Sequence, residues 1–259
     1  MSGAAARHRE NVLRFWLEDR SLTFLLIVIS VDIFIVGPLH ELDLAGRVVL
    51  GVVFAFILVS GIFVVSHSRL LTVAFSAVAL GTLAVHWTDI LAPGLGLRLA
   101  DTIASMLACM MLAGIVLVQT NREGPITSRR IQGAVVVYLL IGLIFGSAYM
   151  LILLLIPGSF EYGGQPISAE HGQMALRSLG YFSFVTLTTV GYGDIHAVHS
   201  FARSLVVLEA LIGQLFPAVM LARLVSMEIY YRQRRFEREQ AALDREAVAR
   251  EVARVLREN

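Results

Sequence analysis

The chain has 259 residues, of which 57% are hydrophobic and only 16% are charged. Soluble domains carry about 25% charged residues, so this composition excludes an ordinary soluble protein and indicates a membrane protein. The net charge of +1 gives no indication of nucleic-acid binding, and a single cysteine excludes an internal disulfide framework.

Residues 1–20 are charged and precede the first apolar run. We expect them to form a cytoplasmic segment, either as a short helix at the inner membrane interface or as a charged terminus. Their charge and the length of the run that follows argue against a cleavable signal peptide.

Six apolar runs follow, and each is long enough to cross a bilayer as a helix. They occupy residues 21–39, 48–66, 70–87, 99–119, 131–156 and 201–227. The predicted fold is therefore an all-α membrane protein with six transmembrane helices and a further helix in the C-terminal tail.

The distribution of arginines predicts how the chain is oriented. Sixteen of the 21 basic residues lie on the side of the membrane that holds both termini, and four lie on the other side. Because positive residues are enriched in cytoplasmic loops, both termini of this multi-pass cell-membrane protein are expected in the cytoplasm.

Two acidic residues lie well inside the apolar runs, and a third, Asp101, lies in the first turn of the fourth run. An ionisable group at membrane depth is a candidate for a functional or structural role. Asp32 lies in the first run and is expected to pair with Arg98 or with nearby hydroxyl groups, while proton sensing is a second interpretation. Glu209 lies in the sixth run. It is expected to bond a neighbouring element, through Gln214 or Thr188, or else to line a cavity.

Between the last two runs, residues 188–194 read Thr-Thr-Val-Gly-Tyr-Gly-Asp. Glycine adopts positive φ without a Cβ penalty, so Gly191 and Gly193 allow successive carbonyl groups to point to the same side. Rings of such carbonyls can replace the hydration shell of a cation, and the Thr189 hydroxyl can add a further oxygen. Residues 188–194, which we call the filter motif, therefore predict a cation-binding loop.

Through the filter motif and the helices that flank it, the chain resembles the potassium-channel superfamily. The resemblance implies that the ion sites are formed by the carbonyl groups of Thr189, Val190, Gly191 and Tyr192. It places Gly193 at the outer mouth of a pore.

The same resemblance divides the chain into domains. Residues 21–120 would form a four-helix, voltage-sensor-like domain, residues 121–229 the pore domain and residues 230–259 a cytoplasmic helical tail. Within the pore domain, residues 158–172 would be an exposed loop and residues 173–188 a re-entrant pore helix. The tail is compatible with a four-helix bundle or with a single solvated helix.

Three residues are expected to support the filter motif. Asp194 would lie at the outer mouth, where Tyr181 on the pore helix would hydrogen-bond it or only pack nearby. Thr188 would support the filter at the end of the pore helix. A carboxylate that some members of the superfamily carry on the pore helix would fall at Val185, so that coupling is expected to be absent.

Gly213 follows Gly193 by twenty residues, which is the spacing of a hinge glycine in the superfamily, and Pro217 lies one turn further along. Glycine and proline are places where a membrane helix can bend. We therefore predict a gating hinge at these two residues, with close packing and a static kink as the alternative.

One filter motif in a chain without internal repeats predicts a homotetramer, because four copies are needed to surround an ion. The expected partners are three identical subunits, the lipid bilayer and K⁺, without nucleic acid. No cofactor is expected apart from K⁺ as the permeant ion.

The predicted function is passive, potassium-selective conduction with weak or no voltage gating. The fourth apolar run carries no basic residue, whereas voltage sensing needs several charges per subunit. The sequence shows no nucleophile–base pair that would indicate an enzyme. A subunit of a potassium transport system and a regulatory membrane sensor on a channel scaffold are the alternative functions.

Overall fold

The computed structural model describes residues 21–36, 43–65, 68–121, 128–168 and 172–258. The segment expected at residues 1–20 lies outside this description. In chain order, the helices are α1 (Ser21–Ile35), α2 (Asp43–Val65), α3 (Arg69–Leu91), α4 (Leu95–Thr120), α5 (Ser128–Leu155), α6 (Gly172–Leu187) and α7 (Ser200–Glu258). The first of them passes into a π-helical turn at Asp32–Val36.

Five helices in the described ranges, α2 to α5 and α7, are long and apolar enough to cross a membrane. The described part of α1 is a shorter apolar helix, and the run predicted to reach residue 39 continues outside the described residues. The prediction of a mostly helical protein with several helices that could span a membrane is confirmed, whereas the count of six spans stays a prediction.

The turn between α3 and α4 is shorter than predicted and needs only residues 92–94. Ala92, which precedes Pro93, has left the helical region with φ −138° and ψ 73°, because a proline disfavours the α-helical conformation of the residue before it. Thr88 and Asp89, which were predicted to lie in the turn, are still helical. The proline, and not the polar composition, therefore sets the end of α3.

An apolar core extends through α1 to α5 and joins the four-helix region (α1–α4) to the first helix of the predicted pore domain. The helices α4 and α5 approach so closely that a Cβ atom at Gly133 would overlap the hydroxyl group of Thr120. The core includes Leu25, Ile29, Ile57, Leu58, Phe75, Leu112, Val136 and Leu140. The four-helix region is thus packed directly against α5.

A second core lies between α5, α6, α7 and the chain segments next to the filter motif. Its centre is aromatic: the ring centroid of Tyr149 lies 5.4 Å from that of Phe160 and 5.3 Å from that of Phe182. Phe160 and Phe182 meet edge to face at 5.8 Å. Because edge-to-face geometry is favourable for aromatic pairs, this cluster positions α6 against α5.

The loop predicted at residues 158–172 contains a β-hairpin, which is a correction to that prediction. Strands β1 (Phe160–Tyr162), β2 (Gln165–Pro166) and β3 (Ile195–Ala197) form an antiparallel sheet in the order β2-β1-β3. Strands of two or three residues carry no periodic pattern, so the sequence did not indicate them. The sheet joins the segment before α6 to the segment that follows the filter motif.

Candidate functional site

The short helix α6 carries the filter motif and lies between α5 and α7. With 16 residues it is about 24 Å long, which is less than the thickness of a bilayer core. It packs tightly on α5, since a Cβ atom at Gly146 would lie 3.1 Å from the Cα atom of Gly180. The motif begins where this helix ends.

The backbone of the filter motif alternates in handedness along the chain. The φ angle is positive at Thr189 (+60°), Gly191 (+58°) and Gly193 (+79°). It is not positive at Val190 and Tyr192, which lie between them. Such alternation directs successive carbonyl groups to one side, as a ring of ion-binding oxygens requires.

Thr189 is the part of this geometry that the sequence did not indicate. It is the one non-glycine residue with positive φ in the described part of the chain. A left-handed conformation costs an ordinary residue about 1–2 kcal/mol, so the surrounding structure must hold it.

The amide groups at the start of the motif are held by the last turn of α6. The amides of Val190 and Gly191 donate to the carbonyl of Val185 at 3.0 and 3.3 Å, and the amide of Thr189 donates to the carbonyl of Thr186 at 2.9 Å. These bonds satisfy carbonyl groups that a helix end would otherwise leave unpaired.

The carbonyl groups of residues 189–193 accept no hydrogen bond from any residue that the structure describes. The same residues are exposed in the single chain: the side chain of Val190 is 51% exposed and that of Tyr192 is 72% exposed. Unpaired, exposed backbone oxygens in a fixed conformation are an uncommon feature, because backbone polar groups usually find partners. Backbone oxygens of this kind are chemically suited to replace the hydration shell of a cation.

The outer end of the motif is fixed from two directions. The hydroxyl of Tyr181 on α6 interacts with the carboxylate of Asp194. The amide of Gly163, in the hairpin, donates to the carbonyl of Asp194 at 3.0 Å. The hairpin therefore contributes directly to holding the C-terminal end of the filter motif, which the sequence did not indicate.

Glu209 on α7 reaches the back of α6. Its carboxyl group contacts the hydroxyl groups of Tyr149 on α5 and of Ser183 on α6, the latter at 2.5 Å. The predicted bond to a neighbouring element is therefore present, but the predicted partners, Gln214 and Thr188, were wrong. The Thr188 hydroxyl donates instead to the carbonyl of Phe184 at 2.6 Å, within its own helix.

The inner end of α6 is held by α5 and α7 through one carbonyl group. The hydroxyl of Tyr138 donates to the carbonyl of Leu187 at 3.0 Å, and a Cβ atom at Gly213 would overlap that same carbonyl oxygen. Close packing therefore accounts for a glycine at position 213 without a hinge. Pro217 lies inside an unbroken α7, and the hinge stays a prediction.

The part of α7 that follows Gly213, which we call its inner part after the predicted orientation, is held by fewer contacts than the part before it. Arg223 donates to the carbonyl of Asn121, at the end of α4, at 2.8 Å, and Arg130 of α5 lies 3.8 Å from the sulfur of Met227. Apolar side chains of this part are exposed in the single chain, among them Leu215, Val219, Leu221 and Val225.

In the four-helix region, polar side chains pair away from the filter motif. His86 of α3 and Asp101 of α4 meet at 3.0 Å. Arg177 on α6 is the charged group that acts electrostatically on Asp32, and the predicted pairing with Arg98 stays a prediction. Among the described residues there is no group of His, Cys, Asp and Glu that could hold a metal ion.

Comparison with known protein families matches a segment of the chain that contains α6 and the filter motif. Residues 134–229, which span most of α5 through the inner part of α7, match the family model described as ion channel. Protein LctB of Bacillus caldotenax is 32% identical over 84 residues, which cover 32% of this chain and 62% of that protein. The alignment therefore leaves more than a third of the relative unmatched. No solved structure matches significantly. Over residues 134–229, the chain is therefore similar to the ion channel family.

Proposed function

We propose that the protein is a passive channel selective for K⁺, built from four copies that align their filter motifs around a common axis. The observation that supports this most directly is the set of unpaired, exposed carbonyl groups at residues 189–193 with alternating backbone handedness. Carbonyl dipoles arranged in rings replace the hydration shell of K⁺ and so lower the barrier to its dehydration.

The orientation of α6 supports the same function. Its C-terminal end at Leu187 adjoins the filter motif, and the negative end of a helix dipole favours a cation close to it. The bonds from the motif back to Val185 connect the ion-binding backbone to this helix end. A cation at the motif would therefore be stabilised by carbonyl groups and by the helix dipole together.

Four copies are proposed because one motif supplies oxygens from one side only. The exposed side chains of Val190 and Tyr192, and an exposed apolar surface on α7, would be covered by neighbouring copies or by lipid. Closed four-fold symmetry gives every copy the same environment and surrounds the ion completely. The complete channel would lie in the cell membrane with both termini in the cytoplasm.

Voltage dependence is expected to be weak or absent. The helix α4 carries one basic residue, Arg98, in its first turn. Moving one elementary charge across 100 mV yields only about 2.3 kcal/mol, so a single charge per subunit cannot make opening steep.

Flux into liposomes that contain the purified protein tests the proposal. We expect an imposed K⁺ gradient across the liposome membrane to dissipate rapidly and an imposed Na⁺ gradient to dissipate far more slowly. Native mass spectrometry of the purified protein should give four copies per particle. Equal fluxes of K⁺ and Na⁺, or a particle whose copy number cannot close a ring of four, would overturn it. Protein-free liposomes provide the control for leakage.

A further inference from the structure

The carboxyl group of Glu209 is buried behind the filter motif, and the hydrogen atoms around it can be counted. The side chain is 0% exposed. Three short oxygen–oxygen contacts converge there: Tyr149 to Glu209, Ser183 to Glu209 at 2.5 Å, and Ser183 to the carbonyl of Gly142 at 2.7 Å. Together they connect α5, α6 and α7.

An ionised Glu209 leaves one of these contacts without a hydrogen atom. The hydroxyl groups of Tyr149 and Ser183 supply one hydrogen each, and a carboxylate and a carbonyl supply none. Ser183 could then donate to Glu209 or to Gly142, and the remaining contact would press two electron-rich oxygens together. Such an unsatisfied contact is costly in a buried site.

The charges around Glu209 independently disfavour its ionised form. No basic side chain contacts Glu209 among the residues that the structure describes. A buried carboxylate without a cation is strongly disfavoured, because its hydration is lost without compensation. The other titratable group that acts on Glu209 from α5, besides Tyr149, is Tyr138, whose hydroxyl already donates to the carbonyl of Leu187.

We propose that Glu209 is held as a neutral carboxylic acid whose own hydrogen is donated to Ser183. The hydroxyl of Tyr149 then donates to the other carboxyl oxygen, and Ser183 donates to the carbonyl of Gly142. Each of the three contacts now has one hydrogen, and no donor or acceptor is left over.

This arrangement makes Glu209 a positioning residue for the filter motif, a role that rests on the channel function proposed above. The chain of donors fixes α6 to α5 through Gly142 and to α7 through Glu209. Because the motif is bonded to the last turn of α6 at Val185, a shift of that helix would displace the carbonyl groups. In some members of the potassium-channel superfamily, a supporting carboxylate lies on the pore helix at the position that Val185 occupies in this chain. Here the carboxyl group comes from α7.

Three variants distinguish a neutral acid from a carboxylate. Glutamine offers an NH2 group as donor and a carbonyl oxygen as acceptor, so Glu209→Gln reproduces the pattern of a protonated acid, with one N–H to spare, but not that of a carboxylate. We expect Glu209→Ala to lower K⁺ flux by about tenfold or more, since a lost buried bond of 1–3 kcal/mol corresponds to such a factor. Glu209→Gln should rescue flux and thermal stability. The matched control is Glu161→Gln, which removes a partly exposed carboxyl group in the hairpin.

An infrared difference spectrum tests the protonation directly and does not depend on conduction. Subtracting the Glu209→Gln spectrum from that of the unaltered protein at neutral pH should reveal the carbonyl stretch of a protonated carboxylic acid. A difference that contains only carboxylate bands, or a Glu209→Gln variant as impaired as Glu209→Ala, would overturn the proposal. Failure of the channel function itself would appear separately, as an unaltered protein that does not conduct K⁺.

Discussion

The outer and inner parts of α7 are held in different ways. In the outer part, Ala202, Glu209 and Gly213 are buried against α5, α6 or the sheet. In the inner part, Leu221 is 64% exposed and Arg223 makes one bond to the end of α4. Movement of α7 would therefore require little rearrangement on the inner side of Gly213 and extensive rearrangement on its outer side.

The difference matters because the filter motif depends on the outer part alone. Its amides are bonded to α6, and α6 is fixed to α7 through Glu209 and through the contact between Gly213 and Leu187. A rigid outer part would keep the proposed ion-binding carbonyls in place. An inner part with few contacts can change position without disturbing them.

The largest effect is expected at the filter motif itself. Gly191→Ala should abolish selective K⁺ conduction, because a left-handed alanine costs about 1–2 kcal/mol and relaxing it turns a carbonyl away. The matched control is Gly158→Ala, since Gly158 also has positive φ (+78°) and has open space around it, but lies in the turn after α5. Single-channel recording should show conduction for the control only. Similar losses in both variants would mean that the motif has no special role.

A smaller but still large effect is expected where α7 meets the end of α6. Gly213→Ala would place a methyl group on the Leu187 carbonyl and should lower the stability of the assembled protein by about 3 kcal/mol. Gly114→Ala on α4, where the added atom meets nothing, is the control. Thermal unfolding measures the effect. Normal stability combined with a reduced open probability would favour the hinge over close packing.

A moderate effect is expected at the outer mouth. Tyr181→Phe removes the hydroxyl that interacts with Asp194, which should lower the free energy that holds the filter in its conducting form by about 1 kcal/mol. Tyr162→Phe, at an exposed tyrosine of the hairpin, is the control. The open probability in steady recordings measures the difference. Indistinguishable recordings would show that Tyr181 only packs near the filter.

The smallest effect should distinguish the two parts of α7. Arg203 and Arg223 each donate from an exposed position to a backbone carbonyl, at 3.0 and 2.8 Å, one near each end of the membrane-spanning part. Each bond is worth about 1 kcal/mol or less. We expect Arg223→Gln to change the open probability and Arg203→Gln to leave it unchanged. The reverse result would contradict the assignment of movement to the inner part.

The features that the sequence predicted are local ones. The alternation at Gly191 and Gly193 follows from the conformations that glycine allows, and the apolar runs follow from the thickness of the bilayer. The interaction between Tyr181 and Asp194 came from the resemblance, which carries tertiary information.

The features that the sequence did not predict depend on contacts between distant segments. Ser183 and Tyr149 meet Glu209 across 26 and 60 residues of sequence, and nothing in the composition selects them over Gln214. The positive φ of Thr189 is imposed by its surroundings and not by its side chain.

The reversal potential of the current across a planar bilayer, with K⁺ on one side and Na⁺ on the other, tests the central claim most directly. If the carbonyl groups of residues 189–193 surround K⁺, the current should reverse far from zero, at a potential that K⁺ alone dictates. A current that reverses near zero under equal concentrations would show that the two ions pass equally well and would contradict the account.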